Sequence, residues 1–457
     1  MGFPGSILAF GMGQVWIGIG LALGTAANWI LVARRLRRFS KASGDAITLP
    51  QYLTNRFATT HPLLKVVCAI IFLISFTVYV ASAFNAGASV FVAVLPEFFK
   101  GRELLAMTIF AVLILIYTFM GGYKAVCWTD FFQGLLMLIA LLAVPIIMAT
   151  SGNFDPVYNT AFKEGVTAFG DSPFTATWQD IVSGLGWGLG YFGMPHILVR
   201  FMAIKKPSMV KTSSSVAITW VVLTLAAAIA TAILGRTFLM GDGVALADML
   251  LPNNQKMVFI EVAKEIFPPV IAGLMLAAII AAAMSTADSQ LLVASSSFAS
   301  DIYKPLLRKN KASEKEMLWV GRIAVLVVAV VGFAIAASGL NNPASWSSDI
   351  MNMVENAWGL FGAAFGPVVI LSLFWKRFNY AGAVSGIIAG AVADIAWLLC
   401  FTNTVMPAAI VNTAVYEIVP GFVVGMIVSL IVTLCTKAPG ADVTAIFEAA
   451  TNTSVDD

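Results

Sequence analysis

The sequence predicts an all-α polytopic membrane protein, and three observations carry the prediction. Hydrophobic residues make up 59% of the 457 and charged residues only 11%, where a soluble domain holds about 45–50% and about 25%. The apolar residues gather into runs of the length a bilayer crossing needs, about 20 residues. The Lys and Arg between the runs are distributed unevenly enough to set an orientation. Mean hydropathy is +0.89. A net charge of +3 is too small to argue for nucleic acid, and the basic residues are spent on topology.

Eleven complete spans are predicted, at roughly 13–33, 63–93, 103–122, 125–149, 177–199, 212–236, 268–298, 318–338, 352–375, 380–402 and 418–436. Residues 1–12 make only about half a span. Under strict alternation, inside loops hold 21 of the 27 Lys and Arg, from the Arg34–Lys41 cluster to Lys437. Outside loops hold only Lys100, Arg102, Lys163, Arg236, Lys256 and Lys264. The tail 437–457 is then cytoplasmic, and its composition reads as poorly ordered.

The start is unusual. Met1-Gly2-Phe3-Pro4-Gly5 opens inside a hydrophobic segment, without the charged region or cleavage site of a signal peptide. The half-span must run from mid-membrane outward, as though the beginning had been cut away.

Gly and Pro break two segments, Gly2–Gly5 and Gly184–Pro195. Each opens a run of five membrane segments, the first ending near 149 and the second near 375, and the alternation gives the two runs opposite topology. Interrupted helices at corresponding positions of two halves point to a transporter binding site. The alternative is that the glycines serve close packing. Five glycines, three aromatics and a proline in twelve residues favour a site.

The second concentration of chemistry is Ala281–Gln290. On a helix, Ala282, Ser285, Thr286 and Ser289 fall at i, i+3, i+4 and i+7 and share a face that offers oxygens. Asp288 adds an ionisable group at membrane depth, which is a functional-site expectation. Small-residue packing, with hydroxyls bonded to their own helix, is the competing reading. The four cysteines are dispersed in or beside apolar segments and the two histidines are far apart, so no thiol or imidazole metal cluster is expected.

Four stretches together carry a resemblance: Tyr117–Val126 with Trp128-Thr129-Asp130, Trp187–Gly193 with Pro195-His196, Met284-Ser285-Thr286, and Phe361–Pro367. The chain resembles the sodium:solute symporter family from Met1 to about Gly440. That resemblance implies an inverted-repeat transporter fold of five plus five helices (LeuT-like). The first repeat would be 1–150, the second 177–375, followed by two accessory helices at 380–436 and the tail at 437–457. It implies an Na⁺ site between the first and eighth core helices, with the Ala282 carbonyl and the Ser285 and Thr286 hydroxyls as ligands. Neutral oxygens suit a hard cation that must be released again. Tyr79, Trp187, Tyr191 and Pro195 are the implied substrate contacts, and Asp130 matches an acid that some relatives use for the ion. Asp288 departs from the family pattern, and with Ser289 it is a further candidate for the ion path or else the partner of a basic residue. Asp130 equally suits a cap at a helix start.

The implied activity is Na⁺-coupled uptake of a small solute, most simply L-proline, in the cell (inner) membrane. No obligate protein partner is expected, and the lipid bilayer is the solvent. Another amino acid, a monocarboxylate, pantothenate or a sugar remains open, though the Trp187/Tyr191 pair disfavours a sugar. The family's other Na⁺ ligands fall upstream of Met1, so half of that site is expected outside this sequence. A solute sensor is disfavoured by the short tail, and an inactive truncated membrane domain is a further alternative. An enzyme is disfavoured because no nucleophile–base–orienter set, metal cluster or phosphate loop is present. A channel is disfavoured because the polar residues do not line a continuous path.

Overall fold

A computed structural model describes residues 2–120, 123–150, 172–241, 255–309, 311–340, 342, 345–405 and 407–452. Met1, the Gly121–Gly122 pair of the first signature and Lys163 therefore lie outside the described residues. Among the described residues the chain is helical, without strands.

In chain order, α1 is Gly2–Phe10 and α2 is Val15–Ala27, which runs through a π-helical segment, Asn28–Ala33, into α3, Arg34–Ala42. There follow α4 (Leu49–Arg56), α5 (Leu63–Val94), α6 (Pro96–Phe99), α7 (Glu103–Met120) and α8 (Tyr123–Thr150). The next membrane segment is in pieces: α9 (Trp178–Gly186), a 3₁₀ stretch Trp187–Phe192, and α10 (Pro195–Met202). Then come α11 (Val210–Gly241), α12 (Val258–Ile266), α13 (Pro269–Ser297) and α14 (Glu314–Leu340). The chain ends with α15 (Ile350–Phe374), α16 (Tyr380–Phe401), α17 (Ile418–Cys435) and α18 (Ala441–Thr451).

Nine helices among the described residues are long and apolar enough to cross a membrane, and Glu103–Phe119 is a shorter apolar helix. The span at 13–33 is part of a longer helix. Hydropathy falls at Arg34, but the helix does not stop there, because no Gly or Pro interrupts it before Gly44. The helical run is Met12–Ala42, and Gly44 with φ +77° then supplies the left-handed residue that ends it. The 177–199 span is discontinuous within Gly184–Pro195, the stretch whose glycines and proline are expected to break it.

The tail also differs from its expected disorder. Val443, Phe447 and Ala450 recur at i, i+4 and i+7 and are buried on α18, which docks on α3. The Phe447 ring meets Phe39 edge-on at 5.3 Å. Lys376 Nζ pairs with Glu448 Oε1 at 2.5 Å.

The core is built around α5 and α15. In α15, 89% of the apolar window is buried, which fits a helix surrounded by others and not by lipid. Phe72 and Phe76 on α5 meet Phe361 on α15 at 5.8 and 4.6 Å. The helix α5 also packs on α13 and α14, while α16 and α17 pack on each other and on the remaining side of α15.

Candidate functional site

The broken segment is held between two close neighbours. Gly20 and Gly24 of α2 face Gly184 and Gly188, and a Cβ at Gly24 would lie 2.4 Å from the Gly188 Cα. Only backbone fits there. On the other side, a Cβ at Gly190 would lie 1.9 Å from Trp358 Nε1. Close packing thus accounts for these glycines. What it leaves available is the break itself: Ile197 and Leu198 donate back to the Met194 carbonyl at 3.2 and 3.1 Å and Pro195 has no N–H, so the first turn of α10 leaves the His196 N–H. Pro195 opens α10 at N1, where its missing N–H costs nothing.

Two of the four expected substrate contacts converge there. Trp187 is buried and Tyr191 half-buried. In a 3₁₀ stretch, residues three apart eclipse, so four apart no longer means one face. Trp358 on α15 nevertheless joins them. Its ring meets Tyr191 edge-on at 5.0 Å and Trp187 at 6.4 Å, and its Nε1–H donates to the Trp187 carbonyl at 2.8 Å. Asn28, in the π segment of the first long helix, donates to the Tyr191 carbonyl at 2.9 Å. Pro195 is buried, and Tyr79 is half-buried on α5, packed against the core.

The stretch lies between two cavities. Trp187 lines the first, of about 500 Å³, together with Ser6, Gln14, Lys256, Asn352 and Glu355. Tyr191 lines the second, of about 600 Å³, together with Thr25, Trp29, His196 and Arg200.

The polar stretch of α13 meets α8. Ser285 Oγ donates a short hydrogen bond to Asp130 Oδ1. Arg200 Nη2 lies 2.6 Å from Asp130 Oδ2 and 2.9 Å from Ser289 Oγ, and Ser289 Oγ lies 3.4 Å from Asp130 Oδ2. Asp130 therefore faces inward across helices and is not a solvated cap. Its carboxylate is a buried anion already satisfied by a cation. Asp288 is fully buried, and neither carboxylate oxygen has a hydrogen-bond partner. Ala282 and Thr286 lie half-buried on the same helix. No side-chain bond joins Thr286 to the Asp130 cluster among the described residues.

Sequence reasoning missed Arg200, Trp358 and Tyr416. Arg200 reads as a boundary charge, yet it stands one turn after His196, behind the proline that opens α10. Trp358 lies in an unbroken apolar run and carries no signal. Tyr416, whose ring meets Trp187 at 5.3 Å, falls in a connecting segment.

A helix broken between two cavities, backed by a buried cluster of hydroxyls and a carboxylate on neighbouring helices, defines a secondary transporter with a discontinuous-helix site. The sodium:solute symporter family model matches residues 1–390, and the chain belongs to that family. It is 40% identical over 454 residues to a sodium/proline symporter of Haemophilus influenzae, covering 98% of this chain and 86% of that protein. It is also 40% identical over 456 residues to a Staphylococcus aureus sodium/proline symporter, covering 96% and 83%.

Solved structures share the fold. A Na⁺-coupled sialic acid symporter superposes with a TM-score of 0.64 at 20% identity over 96% of this chain and 91% of its own. MhsT in complex with L-phenylalanine gives 0.54 at 14% over 95% and 97%. The inverted-repeat, all-α membrane fold is thereby established, and the chain is a multi-pass symporter coupled to Na⁺, not an enzyme.

Proposed function

We propose that the protein takes up L-proline with Na⁺ by alternating access across the cell membrane (the inner one where two exist), with its C-terminus in the cytoplasm. The similarity to two sodium/proline symporters over nearly the whole chain carries this reading. The geometry fits it. A pyrrolidine ring is small and apolar and suits the faces of Trp187, Tyr191 and Tyr79. Its carboxylate suits the positive dipole end of α10, which begins at Pro195, with the His196 N–H as donor.

Na⁺ is cargo and is bound on oxygens. We assign the Ala282 carbonyl and the Ser285 and Thr286 hydroxyls to one Na⁺ site, and Asp130, Ser289 and Asp288 to the path by which the ion leaves. A serine hydroxyl that donates to a carboxylate keeps its lone pairs for a cation, so the Ser285–Asp130 bond prepares an oxygen pair. Arg200 competes with Na⁺ for Asp130 and Ser289. An ion attracted there must displace a guanidinium, which keeps binding reversible. The assigned repeats, 1–150 and 177–375, would rock about the break, with 380–436 packed outside them. Coupling requires that Na⁺ and substrate favour the same conformation.

The test is radiolabelled L-proline uptake into proteoliposomes holding the full protein, with and without an inward Na⁺ gradient. Accumulation only with the gradient is expected. Equal uptake without Na⁺ would overturn the coupling, and Na⁺-stabilised protein that moves no proline would overturn the substrate.

A further inference from the structure

A second set of ionisable groups lies outside this site, where α15 meets the accessory helices. Asp394 on α16 is 1% exposed, and Glu417, which precedes α17, is 2% exposed. Asp394 Oδ1 and Glu417 Oε1 have no hydrogen-bond partner. They converge on Gly359 of α15, whose missing Cβ would lie 3.2 Å from Asp394 Oδ1 and 3.4 Å from Glu417 Cγ. Two carboxylates buried together without a counter-charge are not stable as two anions. We propose that Asp394 and Glu417 hold one proton between them, forming a cation site separate from the Asp130–Ser285–Ser289 cluster.

The surrounding groups support a proton as the occupant. Those facing the pair are acidic or phenolic: Glu355 from α15 and Tyr416 beside Glu417, with Asp349 near Glu355 and Tyr79 near Tyr416. The Tyr416 hydroxyl donates to the Glu355 backbone carbonyl at 2.7 Å and so to neither carboxylate of the pair. Glu417 and Glu355 line the first cavity, whereas Asp394 lies behind them, so a proton has a wet route to the pair through Glu417. Lys256 and Asp180 line the same cavity, Lys256 being the one basic side chain among its lining residues. Burial pushes the Lys256 ammonium down to about 8, partly opposed by Asp349. Among the described residues no group of three or more His, Cys, Asp or Glu is placed to hold a metal ion.

The site is joined to the transport machinery. The Tyr416 ring packs on Trp187 at 5.3 Å, and its backbone N–H donates to Ser183 Oγ on α9 at 3.0 Å. Loss of the proton places two negative charges on either side of Gly359. Their repulsion and hydration act directly on the segment that carries Tyr416, and so on the first half of the broken helix.

Infrared difference spectroscopy on the full protein in proteoliposomes tests this, with the proton as the probe. At pH 7 an ordinary carboxyl with pKa about 4 is almost wholly ionised. The wild-type protein should nevertheless show a protonated-carboxyl band that titrates away only in alkali. The component that belongs to the pair should shift in D394N and in E417Q and be lost in the double variant, leaving any band of the equally buried Asp288 in place. Because absence of every such band in the wild-type protein already overturns the proposal, a variant that fails to fold does not end the test. No band at pH 7, or a band unchanged in the folded double variant, overturns the proposal. A band that Na⁺ abolishes at constant pH also overturns it, by making Na⁺ the ligand. None of these readings depends on which solute is carried.

Discussion

Arg200 Nη2 stands 2.6 Å from Asp130 Oδ2, so a guanidinium from the broken segment occupies the carboxylate that α8 presents to α13. Asp130 is nearly buried (side chain 11% exposed) and Arg200 is not (46%), so the acid depends more on the pair than the base does. A hydrogen bond to a charged group contributes about 1.5–3 kcal/mol. Arg200→Gln removes the competitor and should lower the Na⁺ concentration for half-maximal uptake by about tenfold, the low end of that range at 1.4 kcal/mol per decade because Arg200 is half exposed. Asp130→Asn should raise it by at least that factor. Sodium titrations of proline uptake in the two variants give the signs, and movement in the same direction would refute the competition.

Ser285→Ala and Thr286→Ala should each raise the Na⁺ requirement about tenfold, the value of one lost ligand oxygen near a charge. Thermal unfolding in detergent should stay near wild type, since both side chains are only half-buried. Unchanged sodium curves in both would remove the assigned ligands.

At the aromatic layer, Trp358→Phe keeps a ring but deletes the donor to the Trp187 carbonyl. That bond contributes about 0.5–1.5 kcal/mol, so the proline KM should rise by up to about tenfold while Na⁺ dependence moves little. Trp187→Ala should weaken proline more. Equal loss for proline and Na⁺ in both variants would indicate damaged folding instead of a lost contact.

Glycine positions offer a paired test of packing. Gly24→Ala forces a Cβ to within 2.4 Å of the Gly188 Cα, a backbone atom that cannot swing aside, and overpacking of this kind costs about 1–3 kcal/mol. Gly273→Ala on α13 meets nothing within 4 Å and should stabilise the helix by about 0.5–1 kcal/mol. Detergent unfolding midpoints should move in opposite directions.

Most of the helices were legible because each is a long apolar run, and the positive-inside bias orders them. The ends were not, because hydropathy reports lipid and not helix. Arg34–Ala42 stays helical after the apolar run ends, whereas the break at Trp187–Phe192 was announced by the glycines and Pro195 around it. In the site, Ser285 and Ser289 were visible as one face of one helix. Their partner Arg200 was not, since spacing along a helix does not say which helices meet. For the same reason Asp394 reads only as an acid in an outer helix without a role, and Glu417 carries no signal. They lie on separate elements, and only the fold brings them to Gly359.

The central claim is that Na⁺ and proline favour one conformation, and equilibrium binding tests it without a gradient. Trp187 and Trp358 provide a fluorescence signal in the purified protein. Proline affinity should rise with Na⁺, and Na⁺ affinity should rise with proline by the same factor, as linkage requires. Proline binding that is identical with and without Na⁺ would contradict the account.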